Sequence, residues 1–337
     1  MKKYLLLTTG GTIASTAGEQ GLAPEAAPPA LLRAVSDLSA YYEIDCRNIL
    51  NLDSSNIQAE EWQLIAAEVY KALPRCDGIV VTHGTDTMAY TASMLTYMLQ
   101  NLQKPVVLTG SQLPISAPLS DAQANLAAAF AAAEAGLSGI SVAFHQKIIR
   151  GCRAVKVRTM GLDAFASVNA PVRAEVFATG LEIYDKAPPP SGETRLAERI
   201  CNDVFLLKLI PGTNPAVFDM LAAMPYRGVI LEAFGAGGLH FIRRDLSEKI
   251  HALVERGIAV VVCSQCLYDA SDFSIYEVGR KILDAGAIPA GDMTTEAAVT
   301  KLMWALGQTE SLADVQEIFS RNFAGEINLP ESLHEDL

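Results

Sequence analysis

Short apolar runs that each close on a glycine and a hydroxyl residue set the limits on what this chain can fold into. Tyr4-Leu5-Leu6-Leu7 leads into Thr8-Thr9-Gly10-Gly11-Thr12, and Gly78-Ile79-Val80-Val81 leads into Thr82-His83-Gly84-Thr85-Asp86. Pro105-Val106-Val107-Leu108 leads into Thr109-Gly110-Ser111-Gln112, and a fourth run lies at 140–144. Unbroken apolar runs of this length read as strands buried on both faces. Helical patterns at 57–73, 86–102 and 121–135 separate them, the last with Ser120 or Asp121 as its N-cap. The alternation predicts βαβ units and a parallel sheet, in which sites gather beyond the carboxyl ends of the strands.

Ala187-Pro188-Pro189-Pro190-Ser191-Gly192-Glu193 reads as a linker, because consecutive prolines favour an extended chain. Beyond it strands are expected at 204–210, 228–234 and 257–263, with helices at 215–223 and 246–256. The expected organisation is a larger N-terminal α/β catalytic domain over 1–186, a linker over 187–202 and a smaller C-terminal α/β domain over 203–337. The stretch 15–29 holds Gly18, Gly21, Pro24, Pro28 and Pro29 with little apolar content. It directly follows the first threonine turn, and its composition and place are those of a lid.

Charge and cysteine usage narrow the function classes. Lys and Arg number 26 against 38 Asp and Glu, a net charge of -12, and no basic run is present. That balance argues against a nucleic-acid partner and against anionic membranes. Apolar runs such as Ile258-Ala259-Val260-Val261-Val262-Cys263 are too short to span a bilayer. Lys2 and Lys3 precede only a short apolar run and a glycine turn, too little for an export signal, so a cytoplasmic protein with reduced thiols is expected. Cys263-Ser264-Gln265-Cys266 is a lone Cys-x-x-Cys without the second pair of a zinc site; it reads as two small buried residues at a strand end. No metal and no cofactor is expected.

Gly10-Gly11 allows a tight turn and close backbone approach to a ligand at Thr12. The segment lacks the third spaced glycine of a dinucleotide fingerprint and the Gly-Lys-Ser/Thr of a P-loop, which leaves its N–H groups for an oxyanion. Asp86, beside Thr85 at a helix start, fits two roles: helix cap, or carboxylate for a substrate ammonium. His83 has no second group placed to orient it as a base and reads as turn packing. A hydroxyl nucleophile needs a base. Lys156, flanked by Val155 and Val157, is the candidate, since desolvation lowers a lysine pKa; a lysine that snorkels to water has the same local pattern. Asp53-Ser54-Ser55-Asn56 and Thr109-Gly110-Ser111-Gln112 each fit either capping or binding of a substrate carboxylate.

Taken in order, these segments resemble the bacterial-type L-asparaginases, and most closely their type I, cytoplasmic branch. Thr9-Gly10-Gly11-Thr12-Ile13-Ala14 and His83-Gly84-Thr85-Asp86-Thr87-Met88 look like the family's two signature motifs. The Asp53-Ser54-Ser55 loop, Leu108 to Gln112, Gly151-Cys152-Arg153-Ala154-Val155-Lys156 and Gly291-Asp292-Met293-Thr294-Thr295-Glu296-Ala297-Ala298 fit as well. The resemblance implies a two-domain asparaginase-like α/β fold and hydrolysis of L-asparagine to L-aspartate and ammonia without cofactor. It implies Thr12 as nucleophile, with Thr85, Lys156 and Asp86 as the second, proton-handling set. Asp86 would also hold the substrate ammonium, Ser54 and Ser55 would bind its α-carboxylate with Asp53 in the same substrate-binding set, and N–H groups near Thr85 would form an oxyanion hole. It implies a homodimer or homotetramer, with segments around Ala236-Gly237-Gly238 or 268–276 reaching a partner's site.

The sequence departs from the family pattern after the first motif. Many relatives carry a tyrosine there, and Leu22 holds its place; leucine relays no proton, so either another hydroxyl, such as Tyr276, does that job or Thr12 is activated differently. Asp269 and Asp272 are the acidic residues to consider for a contribution in trans, and Glu232 and Cys266 lie where type I relatives place a second asparagine site. Two other readings share the scaffold. The amidase component of a tRNA-dependent amidotransferase would carry an extra domain before the first motif, which here begins near Met1. A catalytically silent asparagine sensor is opposed by intact Thr12, Thr85, Asp86 and Lys156.

Overall fold

Leu5, Leu6, Leu7, Ile79, Val80, Val81, Val106, Val107 and Leu108 are all buried, so the apolar runs are covered on both faces. The computed structural model describes residues 1–18, 21–24, 29–185, 187–271, 273 and 277–328, with the backbone path alone for 16–18, 21–24, 277 and 278. It divides into two units, Met1–Glu198 and Arg199–Leu337.

The first unit runs β1 (Lys3–Gly10), β2 (Ser15–Gly18), β3 (Gly21–Pro24), α1 (Pro29–Leu38), β4 (Glu43–Leu52), α2 (Ala59–Ala72), β5 (Gly78–Thr82), α3 (Met88–Met98) and β6 (Leu99–Gln100). It continues through β7 (Pro105–Thr109), α4 (Ala122–Glu134), β8 (Gly139–Phe144), β9 (Lys147–Arg150), β10 (Ala154–Lys156), β11 (Phe165–Ser167), β12 (Ala174–Phe177), β13 (Gly180–Ile183) and β14 (Arg195–Leu196). The main sheet has the order β13-β12-β9-β8-β7-β5-β1-β4. Its five strands from β8 to β4 are parallel, while β9, β12 and β13 add antiparallel, so the sheet is mixed where a purely parallel one is expected.

The order places the site. From β1 the chain steps outward to β4, then returns to β5 on the other side of β1 and proceeds to β7 and β8. The connections leaving β1 and β5 therefore diverge, and the carboxyl ends of these two neighbours form the switch point at which open α/β sheets bind ligands. Both threonine turns leave from there.

One face of this sheet packs Tyr4, Leu6, Val80 and Val107 against Leu126 and Phe130 of α4. The ring of Tyr4 meets Phe130 edge-on at 6.0 Å, and Tyr42 stacks on Phe130 at 5.6 Å. Alanines at 122, 128, 129, 132 and 133 are buried along α4 and keep it close to the strands. The expected lid stretch contains two antiparallel strands, β2 and β3, with Ala17 opposite Leu22. β4 is missed by a search for apolar runs because it is an edge strand of alternating burial, Glu43-Ile44-Asp45-Cys46, with one face open. α3 stops at Met98, short of 102, because Leu99–Gln100 leaves the helix to pair with Arg195–Leu196, inside the stretch read as linker.

The second unit repeats the pattern on a smaller scale: β15 (Val204–Lys208), α5 (Ala216–Ala223), β16 (Gly228–Ala233), α6 (Ser247–Glu255), β17 (Ala259–Ser264), α7 (Glu277–Asp284), β18 (Ile288–Pro289), α8 (Thr295–Gln308) and α9 (Leu312–Ser320). Its sheet, β15-β16-β17-β18, is parallel. Thr294 caps α8 by accepting from the Ala297 N–H at 3.1 Å. Lys301 and Glu326 form an ion pair at 2.7 Å with both side chains wholly buried, and Glu326 also accepts from the Phe323 and Ala324 N–H groups. Removing one partner of such a pair leaves an uncompensated buried charge. Lys301→Met is expected to cost about 3–5 kcal/mol, read as a lowered midpoint in urea denaturation.

Candidate active site

Four strand ends meet at the carboxyl edge of the first sheet, and their glycines allow it. Gly11 has φ 78°, and a Cβ there would stand 2.4 Å from Gly84 N, closer than any side chain is tolerated. A Cβ on Gly84 would stand 2.6 Å from Ser54 Oγ, and one on Gly110 would stand 2.3 Å from the His83 carbonyl. The turns after β1, β5 and β7 are thus packed backbone to backbone, and the Ser54 side chain of the β4 turn seats against Gly84, as positions open only to glycine permit. Hydroxyls then stitch them. Thr9 donates to the Thr82 carbonyl at 2.8 Å, Thr87 to the Ser54 carbonyl at 2.7 Å, and Thr8 to Asn48 Oδ1 at 2.8 Å.

Thr12 is the first residue of a short 3-10 turn, Thr12–Ala14, half-buried just past Gly11. Its neighbour Gly11 abuts Gly84, so the backbones carrying Thr12 and Thr85 lie side by side. Thr85 is buried, and Lys156 reaches it from the end of β10: Lys156 Nζ donates to Thr85 Oγ1 at 2.8 Å and to Asp86 Oδ1 at 2.6 Å. The lysine side chain is 16% exposed and the Asp86 side chain 64%, so the lysine does not snorkel to water and Asp86 retains an open carboxylate edge. Asp86 is not the helix cap either, since α3 starts at Met88 with Thr87 as its N-cap residue. Gln112 completes the group, accepting from Thr85 Oγ1 at 3.1 Å.

The Asp53-Ser54-Ser55 turn lies in the same place in another role. Asp53 accepts both the Ser55 N–H at 2.8 Å and the Ser55 hydroxyl at 2.6 Å, and these bonds hold its carboxyl below the usual range. Ser54 is buried beneath Gly84. For Ser55 to bind a carboxylate, its hydroxyl has to turn away from Asp53.

His83 is fully buried, and its hydrogen bonds define its proton. Nδ1 lies 2.7 Å from the Gly84 carbonyl, which can only accept, so Nδ1 carries the hydrogen. Nε2 therefore accepts from Thr91 Oγ1 at 2.9 Å, and Thr91 in turn accepts from the Trp62 indole at 2.9 Å. A neutral imidazole thus links α2, α3 and the β5 turn, and the turn-packing role expected of it holds.

In the second unit Glu232 accepts from Thr295 Oγ1 at 2.7 Å and faces Lys208 at 3.4 Å. Cys263 is buried, which pushes its thiol up to about 12, while Cys266 is exposed; the expectation of two buried thiols is half right. Asp269 is exposed, and Asp272 and Tyr276 lie outside the described residues. Among the described residues no three or more His, Cys, Asp or Glu are grouped to hold a metal ion, and no helix is long and apolar enough to cross a membrane. Sequence reasoning missed Gln112 as a partner of Thr85 and Asp121 as its anchor; the strand-end motif containing Gln112 was the available signal.

Comparison with known proteins follows the same division of the chain. Residues 3–189 match the family model Asparaginase, N-terminal, and residues 203–319 match the Glutaminase/Asparaginase C-terminal domain. An L-asparaginase of Thermococcus kodakarensis is 45% identical over 326 residues, covering 96% of this chain and 99% of the relative. The solved structure of the thermostable L-asparaginase from that organism matches with a TM-score of 0.92, covering 97% of this chain and 99% of that one at 45% identity. L-asparaginase I from Vibrio cholerae matches at 0.87, covering 97% and 99% with 31% identity. A Glutamyl-tRNA(Gln) amidotransferase component of Pyrococcus abyssi is 36% identical over 340 residues, 97% of this chain and 77% of the relative.

Burial pulls the His83 imidazole from its ordinary 6.5 down to about 4. Between those values the unfolded chain binds a proton that the folded chain does not. The contribution of His83 is therefore flat above about pH 6.5, and stability falls by about 3 kcal/mol as pH drops through that window to 4. Ring nitrogen shifts are expected to show a neutral imidazole at Nδ1–H down to pH 5; a midpoint near 6.5 would refute it.

Proposed function

This chain belongs to the asparaginase family, and from that premise we propose that it hydrolyses the side-chain amide of L-asparagine to L-aspartate and ammonia. The observation that carries the reading is the Lys156 ammonium held between Thr85 and Asp86, beside the turn that bears Thr12. Identity to the T. kodakarensis L-asparaginase, 45% over nearly the full length of both chains, exceeds the 36% to the P. abyssi amidotransferase component.

Thr12 Oγ attacks the amide carbon, the C–N bond breaks, and ammonia leaves with the proton that the hydroxyl gives up. The resulting ester is then cleaved by water, which regenerates Thr12 and releases L-aspartate. Two easier steps replace one difficult amide cleavage. Thr85 and Lys156 handle the protons, as hydroxyl and amine within hydrogen-bond reach of each other. The open edge of Asp86 receives the substrate α-ammonium, and the Asp53-Ser54-Ser55 turn receives the rest of the substrate's backbone end, with Ser55 turning from Asp53. N–H groups of the Gly11 and Gly84 turns stabilise the oxyanion. The chain works in the cytoplasm as a homodimer or homotetramer.

Ammonia release from L-asparagine and from L-glutamine by the purified protein tests the reaction. Saturable release from asparagine supports it, while binding of asparagine without release from either amide would point to a sensor. Thr12→Ala is expected to lower kcat by at least about 1,000-fold with the fold retained, as loss of a nucleophile does. Near-normal kcat in that variant would remove Thr12 from the role. Asp86→Ala is expected to weaken L-aspartate binding by about tenfold or more, as loss of a charge-assisted contact does, read by calorimetry.

A further inference from the structure

Gln112 is held at both ends. Its backbone N–H donates to both oxygens of Asp121 at 3.1 Å, and the next N–H, of Leu113, donates to Asp121 Oδ1 at 3.2 Å. Asp121 in turn accepts from Asn125 Nδ2 at 2.9 Å, within α4. At the other end, Gln112 Nε2 donates to the carbonyls of Thr159 and Gly161 at 3.0 and 3.1 Å. Carbonyls only accept, so the amide has one allowed orientation, and its oxygen must face Thr85.

That orientation decides what Thr85 can do. A hydroxyl has one hydrogen and two lone pairs. Gln112 Oε1 takes the hydrogen, at 3.1 Å, and the Lys156 ammonium occupies one lone pair, at 2.8 Å. Without the amide oxygen, the hydroxyl loses its one fixed acceptor and its rotor is no longer set. We propose that Gln112 is a positioning residue for the amide hydrolysis. It holds the Thr85 hydroxyl in one orientation, with one lone pair toward Lys156 and the second open to a hydrogen bond from the reacting groups. It also ties Thr85 to the 159–161 stretch that follows Lys156, so that hydroxyl and amine keep their spacing. The inference rests on the asparaginase reading. It acts through Thr85 and involves no contact of Gln112 with substrate.

The test compares wild type with Gln112→Met, which keeps the length and removes both amide functions. Gln112→Asn, which keeps the amide but shortens its reach by a methylene, is the second variant. Ammonia release gives kcat and KM on L-asparagine, calorimetry gives the Kd of L-aspartate, and thermal denaturation reports the fold. Both variants are expected to lose about 30- to 100-fold in kcat, the scale set by misplacing a catalytic group by about an ångström. The L-aspartate Kd is expected to stay within about threefold, as it does when an interaction serves the reaction step alone. A kcat within about threefold of wild type in either variant overturns the inference and leaves the asparaginase reading intact. A parallel loss of kcat, L-aspartate binding and thermal stability also overturns it, since Gln112 would then only hold a loop together. Wild-type protein that releases no ammonia overturns the asparaginase reading itself, and the inference with it.

Discussion

The site exists because peptide backbones touch where side chains would keep them apart. A Cβ on Gly11 would stand 2.4 Å from Gly84, and one on Gly110 would stand 2.3 Å from the carbonyl of His83. These contacts collapse the space between the turns after β1, β5 and β7, while Gly84 seats the β4 turn through Ser54. Strand spacing in the sheet is fixed at about 4.8 Å by its hydrogen bonds. Loops that leave neighbouring strands would ordinarily splay; here they stay in contact. Thr12, Thr85 and the 53–55 turn inherit their nearness from that packing.

Hydroxyl groups divide the remaining work. Thr8 and Thr9 donate to oxygens of neighbouring strands, Thr87 to the Ser54 carbonyl of the β4 turn, and Thr109 to the Ala143 carbonyl. Those of Thr9 and Thr109 each satisfy a buried carbonyl that would otherwise cost about 1–3 kcal/mol. Thr85 differs because its partners are a lysine and a glutamine side chain. A buried neutral histidine, held by Thr91 and the Gly84 carbonyl, supports the same turn from below without carrying charge into it. Charge reaches Thr85 through Lys156, which pairs with Asp86, and the carboxylate of that pair stays open.

Much of this was legible in the chain. The strands at 78–82 and 105–109 stand where the apolar runs place them, since strands covered on both faces are written as unbroken apolar stretches. β4 was not legible by that rule, because an edge strand with one open face alternates instead. The paired strands β2 and β3 were not legible either: glycines and prolines in this stretch signal loop, and the strands are held by pairing with each other. The early end of α3 depends on a strand nearly a hundred residues later in the sequence, which no local pattern encodes.

For the site the division is sharper. The sequence by itself determined the alternation of elements, the glycine-and-threonine motifs at the strand ends, and the family they resemble, because those follow from residue type and local spacing. Which hydroxyls bond to backbone carbonyls and which one meets Lys156 and Gln112 was decided by tertiary structure. The partners that distinguish them are distant: Thr9 and Thr82 are 73 residues apart, Lys156 and Thr85 are 71, and Thr85 and Gln112 are 27. A hydrogen bond depends on distance and direction between two atoms. Neither is set until the sheet order brings the strand ends together and the glycines let them close.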